Sequence, residues 1–190
     1  SAFPNPVPLT GAENTAMASF TSGYAYVADH ADFTVSDFSI EAYVNKQVQT
    51  SGTQYIASQL NTSDDQRAWA LGVAGSSSIS GHSGSANKLF AILSEAGTAA
   101  TVFASNLTID VGSDYFVAAS YNQAGDTLTF YARNLTEGGD LQIDAVSHSI
   151  PTLHDSNAPL RIGRNNSSSG AWQGVIDEVR FTGGALNSGQ

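Results

Sequence analysis

Trp172-Gln-Gly-Val-Ile-Asp-Glu-Val-Arg-Phe181 is the stretch on which the fold reading turns. Its β-branched and aromatic residues favour a strand, and no apolar spacing of three and four residues marks a helix. Regular alternation puts Val175, Asp177, Val179 and Phe181 on one face and Glu178 with Arg180 on the other. Asp177 is thus expected on an apolar face, where a carboxylate needs a cation, an Arg or loop amides to answer it. Glu178 and Arg180 are expected as surface charges.

Upstream, the same period of two recurs. Phe38-Ser-Ile-Glu-Ala-Tyr-Val44 sets Phe38, Ile40, Ala42 and Val44 against Ser39, Glu41 and Tyr43. Thr127–Arg133 sets Leu128, Phe130 and Ala132 on one face, with Tyr131 and Arg133 on the other. Asp114–Tyr121 is apolar on both faces, as a central strand is. Tyr24–Ala28, Tyr55–Ser58, Trp69–Val73, Lys88–Leu93, Thr101–Ala104, Gln142–Ser147, Leu160–Gly163 and Gly174–Phe181 complete the expected strands. Asn122-Gln-Ala-Gly-Asp126 and Thr136-Glu-Gly-Gly139 read as turns, and 75–85 and 165–170 as polar loops. Short strands punctuated by turns predict an all-β fold, a two-sheet antiparallel β-sandwich. No repeat or linker divides the chain, so 1–190 is expected as one domain with its core at about 16–186.

Composition narrows the function. Charged residues are 13%, and the net charge is −10 with only seven Lys and Arg, which are scattered. A phosphate backbone or an anionic bilayer selects clustered basic residues, so neither nucleic acid nor membrane is an expected partner. No apolar run reaches the length that crosses a bilayer. The absence of cysteine points to a bacterial exoprotein or to a cytosolic chain, and the start at Ser1 without Met to the removal of an upstream segment. The end at Asn187-Ser-Gly-Gln190 reads as a linker.

Four motifs in order resemble the laminin-G-like jelly rolls of the concanavalin A-like lectin/glucanase superfamily. Ala18-Ser-Phe-Thr-Ser-Gly-Tyr-Ala-Tyr-Val27 is similar to the family's opening strands. Phe38–Val44 is similar to its second motif, with Tyr43 where the family carries Trp. Tyr115–Tyr121 with Gly125–Tyr131 resembles its central hairpin, and Pro159–Gly163 with Gly174–Phe181 and Ala185-Leu186 its closing signature. The resemblance implies a jelly roll and a choice among lectins, binding or adhesion modules, structural modules and glucanases. It also implies a structural Ca2+ held by Asp177 and backbone carbonyls at Ser22-Gly23.

Catalysis finds little support. Retaining glucanases need two carboxylates about 5–5.5 Å apart on one strand face. None of the five Glu begins a Glu-x-Asp-x-Glu pattern. There is no Cys or Gly-x-Ser-x-Gly elbow, and the four His lack zinc spacing. His148 and His154 flank Pro151 and read as loop histidines. Asn61-Thr-Ser-Asp-Asp-Gln-Arg67 reads as a solvated turn, with a cation site as the alternative. Sequons at Asn61, Asn106, Asn134, Asn165 and Asn166 are expected by chance in so polar a chain. Glycan contacts, where present, are assigned to Trp69, Tyr131, Arg133, Asn165 and Asn166, with loops 61–67, 75–87 and 165–170 as a rim. Core packing is the competing role for Trp69. The expectation is a non-catalytic, secreted or cell-surface binding module for a glycan or a cell-surface protein. The alternatives are a structural module and a glucanase.

Overall fold

The computed structural model describes residues 17–167, 170–187 and 189. Twelve strands form two six-stranded antiparallel sheets. The first contains β1 (Ala18–Phe20), β12 (Gly174–Gly183), β3 (Phe38–Lys46), β8 (Asp114–Asn122), β9 (Thr127–Asn134) and β10 (Gln142–Ser147), in that order. The second contains β2 (Ala25–Val27), β11 (Leu160–Ile162), β4 (Gln54–Asn61), β5 (Gln66–Val73), β6 (Lys88–Leu93) and β7 (Thr101–Thr108). One 3₁₀ turn, Ala31–Phe33, joins β2 to β3. The all-β sandwich expected from the alternation is therefore the observed fold. β6 and β10 match their expected spans, and most other strands run one to four residues longer.

Alternation decides which side chains make the core. Ile40, Ala42 and Val44 of β3, Tyr115, Val117, Ala119 and Tyr121 of β8, and Leu128, Phe130 and Ala132 of β9 line the inner face of the first sheet. Trp69, Leu71 and Val73 of β5 and Leu89, Ala91 and Leu93 of β6 answer them from the second. At one end, rings close the sandwich: Phe181 stacks on Phe38 and on Trp69, each at 5.5 Å, and meets Phe33 edge-on at 5.5 Å. Such contacts add roughly 0.5–1.5 kcal/mol per pair beyond area burial.

The closing strand corrects the parity reading. Asp177 lies opposite Tyr43, yet Arg180 lies opposite Glu41, so Glu178 and Val179 together face Ala42. This is a β-bulge, and Glu178 takes the left-handed conformation at φ 50°. The extra residue inverts the alternation beyond it. Val179 and Phe181 point into the core, whereas Asp177, Arg180 and Thr182 share the outer face. Asp177 is therefore not on the apolar face. Arg180 pairs with Glu41, at 3.7 Å, across the strands.

Candidate functional site

Because opposed residues of an antiparallel pair project to the same side, the register reads out the outer face of the first sheet as rows. One row runs Asp177, Tyr43, Phe116, Arg133. The next runs Arg180, Glu41, Ala118, Tyr131, Ile143. A third runs Thr182, Ser39, Ser120, Thr129, Ala145. Tyr43 and Phe116 form a tilted pair at 5.5 Å, both half-buried. Arg133 is held by Nε donating to Gly139 O at 2.9 Å. Ile143 is half exposed at the open end of its row.

Among the described residues, two acceptors on this face have no hydrogen-bond partner: Asn45 Oδ1, and Glu41 Oε2, which lies 3.7 Å from Arg180 Nη1. Asn45 is oriented by its Nδ2, which donates to Asp114 Oδ1 at 2.7 Å. Buried acceptors are rarely left unanswered. Burial, and next the Glu41 carboxylate, raise the Tyr43 hydroxyl above its ordinary pKa. Burial raises Tyr131 likewise.

The chain after β12 walls one side of the face. Gly184 N donates to Asp37 O at 2.8 Å, Ser39 Oγ donates to Gly184 O at 3.0 Å, and Leu186 N donates to Ser39 Oγ at 2.9 Å. Tyr131 OH reaches Leu186 O at 3.3 Å. Ser39, Ala118 and Ser120 are buried beside this segment, while Tyr43, Phe116 and Arg133 lie in the row beyond it.

The expected site residues are not all gathered here. Tyr131 and Arg133 are on the face, as alternation placed them. Trp69 is a core residue, 2% exposed and stacked on Phe181, so it cannot serve as a surface platform. Trp172 is fully buried, with Nε1 donating to Val175 O at 3.2 Å. Asn165 is buried and accepts from Ser167 N at 2.9 Å. Asn166 ties two of the expected rim loops together: its Oδ1 accepts from Thr62 N at 3.3 Å, and its Nδ2 donates to Asn61 Oδ1 at 2.9 Å. The loop 75–87 does not join that rim. It follows Val73, which pairs with Gln54 at the opposite end of the β4–β5 hairpin from Asn61 and Gln66.

The calcium arrangement does not assemble either. Phe20, the last residue of β1, lies opposite Gly174, and Asp177 lies three residues on, in the direction away from Ser22 and Gly23. Asp177 Oδ1 accepts from Glu178 N at 2.9 Å, which is the loop-amide answer. Among the described residues no three His, Asp or Glu side chains converge as a metal site. His148 and His154 also part company. His148 stacks on Tyr121 at 4.7 Å, whereas the His154 ring lies against Gly97.

Sequence reasoning missed Glu41, Asn45, Phe116 and the role of Tyr43. Their signal is the alternation Glu41-x-Tyr43-x-Asn45, which becomes a site only once the order β12-β3-β8-β9 is known.

A protein from Bacteroides ovatus superposes with a TM-score of 0.66 at 15% identity, covering 92% of this chain; the chain spans 45% of that protein. The CBM40 domain of a Ruminococcus gnavus IT-sialidase, bound to α2,3-sialyllactose, gives 0.62 at 9% identity, covering 92% of this chain and 94% of its own. The LG1–3 region of the laminin α2 chain gives 0.58 at 13% identity, covering 88% and 31%. No curated protein sequence matches. A laminin-G-type family model matches residues 20–190. The chain belongs to the concanavalin A-like lectin/glucanase superfamily.

Proposed function

We propose that this chain is a non-catalytic carbohydrate-binding module of a secreted or cell-surface protein, and that the outer face of the first sheet takes the glycan. The observation that carries the reading is the row Asp177–Tyr43–Phe116–Arg133, which sets an aromatic pair between a carboxylate and a guanidinium. Sugar rings pack their C–H faces on aromatic rings while hydroxyls seek fixed donors and acceptors. Glu41 Oε2 and Asn45 Oδ1 are acceptors suited to such hydroxyls. Three carboxylates (Asp177, Glu41 and Asp114) share this face with two guanidinium groups (Arg133 and Arg180), so no excess of basic charge selects an anionic ligand and a neutral sugar fits. The structural likeness to a domain bound to sialyllactose supports a glycan ligand. Glu41 pairs with the Arg180 guanidinium at 3.7 Å, which supports the non-catalytic part of the reading.

The test is a glycan array followed by calorimetry on the hits. Tyr43→Ala and Phe116→Ala should each weaken binding about tenfold, as loss of a stacked ring worth roughly 1.4 kcal/mol does. Unchanged affinity in both variants would refute the site. One observation favours a second reading, a structural module: the segment 184–187 already lies over Ser39 and Tyr131. An array with no hits, neutral or charged, would favour that reading. No helix among the described residues is long and apolar enough to cross a membrane.

A further inference from the structure

The opposite side of the sandwich carries a second patch with a different chemistry. On the outer face of the second sheet, Tyr26 lies opposite Arg161, and Arg161 lies opposite Ser58. Leu160 and Ile162, either side of Arg161, point into the core, which fixes Arg161 and Tyr26 outward. Tyr24, two residues before Tyr26, projects beside it with ring centroids 6.2 Å apart. The Arg164 guanidinium sits over the Tyr24 ring at 4.7 Å. Tyr26 is 65% exposed and Tyr24 46%, and among the described residues no other aromatic is among the exposed large hydrophobics.

Each guanidinium group is anchored by one donation among the described residues. Arg161 Nη1 donates to Leu60 O at 3.1 Å, and Arg164 Nε donates to Asn165 O at 3.1 Å. Each keeps further N–H donors in its planar fork. The backbone of Arg164 is itself fixed, because Ser58 Oγ donates to its carbonyl at 3.0 Å. Asp29 accepts from the Gln59 amide and Asp64 from the Asn61 amide. In a chain of net charge −10 with seven basic residues, two arginines stand here beside two tyrosines, one of them covered by Arg164 and the other open.

We infer that this patch is a second binding site, distinct from the first-sheet face, and that its ligand is an anionic saccharide. Tyr26 provides the stacking surface, and Arg161 and Arg164 take the carboxylate or sulfate. A guanidinium fork matches either oxyanion, and a ring already under Arg164 leaves Tyr26 as the open platform. The residues used here are not those of the first-sheet face, so either site stands without the other.

Calorimetry with matched probes tests this: oligogalacturonate against its methyl ester, and a sulfated galactan oligosaccharide against its desulfated form. At least one acidic probe should bind, with its neutral counterpart weaker by about tenfold or more. Tyr26→Ala and Arg164→Gln should each weaken the acidic probe about fivefold to tenfold, with Arg164→Lys recovering part of the loss. Phe116→Ala should leave the acidic probe untouched. Raising salt from about 0.05 to 0.5 M should weaken binding, because exposed charges are screened. Melting temperatures of the variants confirm folding. Failure of both acidic probes to bind, or equal binding of charged and neutral forms, overturns the inference. Loss of acidic-probe binding in Phe116→Ala with Arg164→Gln unaffected also overturns it, and leaves the first-sheet reading standing.

Discussion

Deleting Glu178 separates the bulge from a regular strand, because the two predict opposite outcomes. In the structure, Glu178 and Val179 share one partner, Ala42. Without Glu178, Val179 faces Ala42 alone, Arg180 still faces Glu41, and Phe181 still faces Ile40. The core contacts of Phe181 with Trp69, Phe38 and Phe33 therefore survive. The variant also loses a non-glycine residue at positive φ, a strain of about 1–2 kcal/mol, and loses the amide that answers Asp177. These terms nearly cancel, so stability should shift by about 1 kcal/mol, or about 2–4 °C in Tm for a chain of this size. Regular alternation predicts the reverse. There, deletion would exchange the faces of Val179 and Phe181, costing roughly 1.5–3 kcal/mol for each side chain and roughly 6–24 °C in all. Differential scanning calorimetry on the wild type and the deletion decides the matter. A fall beyond about 6 °C, or failure to fold, would refute the bulge argument.

Four further outcomes follow from residues already described. Gly174→Ala should be strongly destabilising, by about 3 kcal/mol or more, since its φ is 153° and a Cβ would strike Asn45 O of the paired strand; chemical denaturation measures the loss. Burial pushes the Tyr121 hydroxyl up to about 12, while the unfolded value is 10.0. Its contribution to stability is therefore complete below pH 10 and lost as pH rises from 10 towards 12, and Tyr121→Phe should flatten that decline in a Tm–pH series. Lys46 is fully buried, and its ammonium meets Asn87 Oδ1 at 3.3 Å; burial lowers its pKa, so Lys46→Met should fold and melt at or above the wild-type temperature. Asp177→Asn should leave the response of Tm to EDTA and added calcium unchanged, since Asp177 and the Ser22–Gly23 carbonyls do not converge; a calcium-dependent rise in the wild type that Asp177→Asn abolishes would contradict this.

The strands were legible because burying one face of a sheet imposes a period of two on its residues, and Phe38–Val44 or Thr127–Arg133 displays that period without ambiguity. β1 was not separated as a strand of its own, since three residues carry too little pattern. The bulge was invisible for a different reason. Glu178 is not the Gly or Asn that usually marks a positive φ, so nothing in Ile176-Asp-Glu-Val179 signals an inserted residue. One unseen residue sufficed to send Asp177 to the wrong face. Trp69 shows the limit in the other direction, because a large aromatic serves a sugar site or a core equally well by composition. The first-sheet face was hidden because its residues come from four strands whose neighbours in space are not neighbours in sequence, such as Tyr43 and Phe116.

Arg67 has a consequence for the loops at the Asn61 end of the second sheet. Its Nη1 donates to Gly97 O and Thr98 O, each at 2.7 Å, and to Asp65 Oδ1 at 3.0 Å, while Nη2 donates to Thr62 O at 3.2 Å. One positive group thus collects oxygens from the β4–β5 and β6–β7 connections, a duty that a bound divalent ion performs in other loops. A tethered guanidinium differs from an ion in having no dissociation constant and no exchange with solution. The two connections therefore stay fastened whatever the supply of free cations, and they should breathe together, giving matched amide-exchange rates in both loops beyond the Trp69–Leu93 pairing that joins their hairpins.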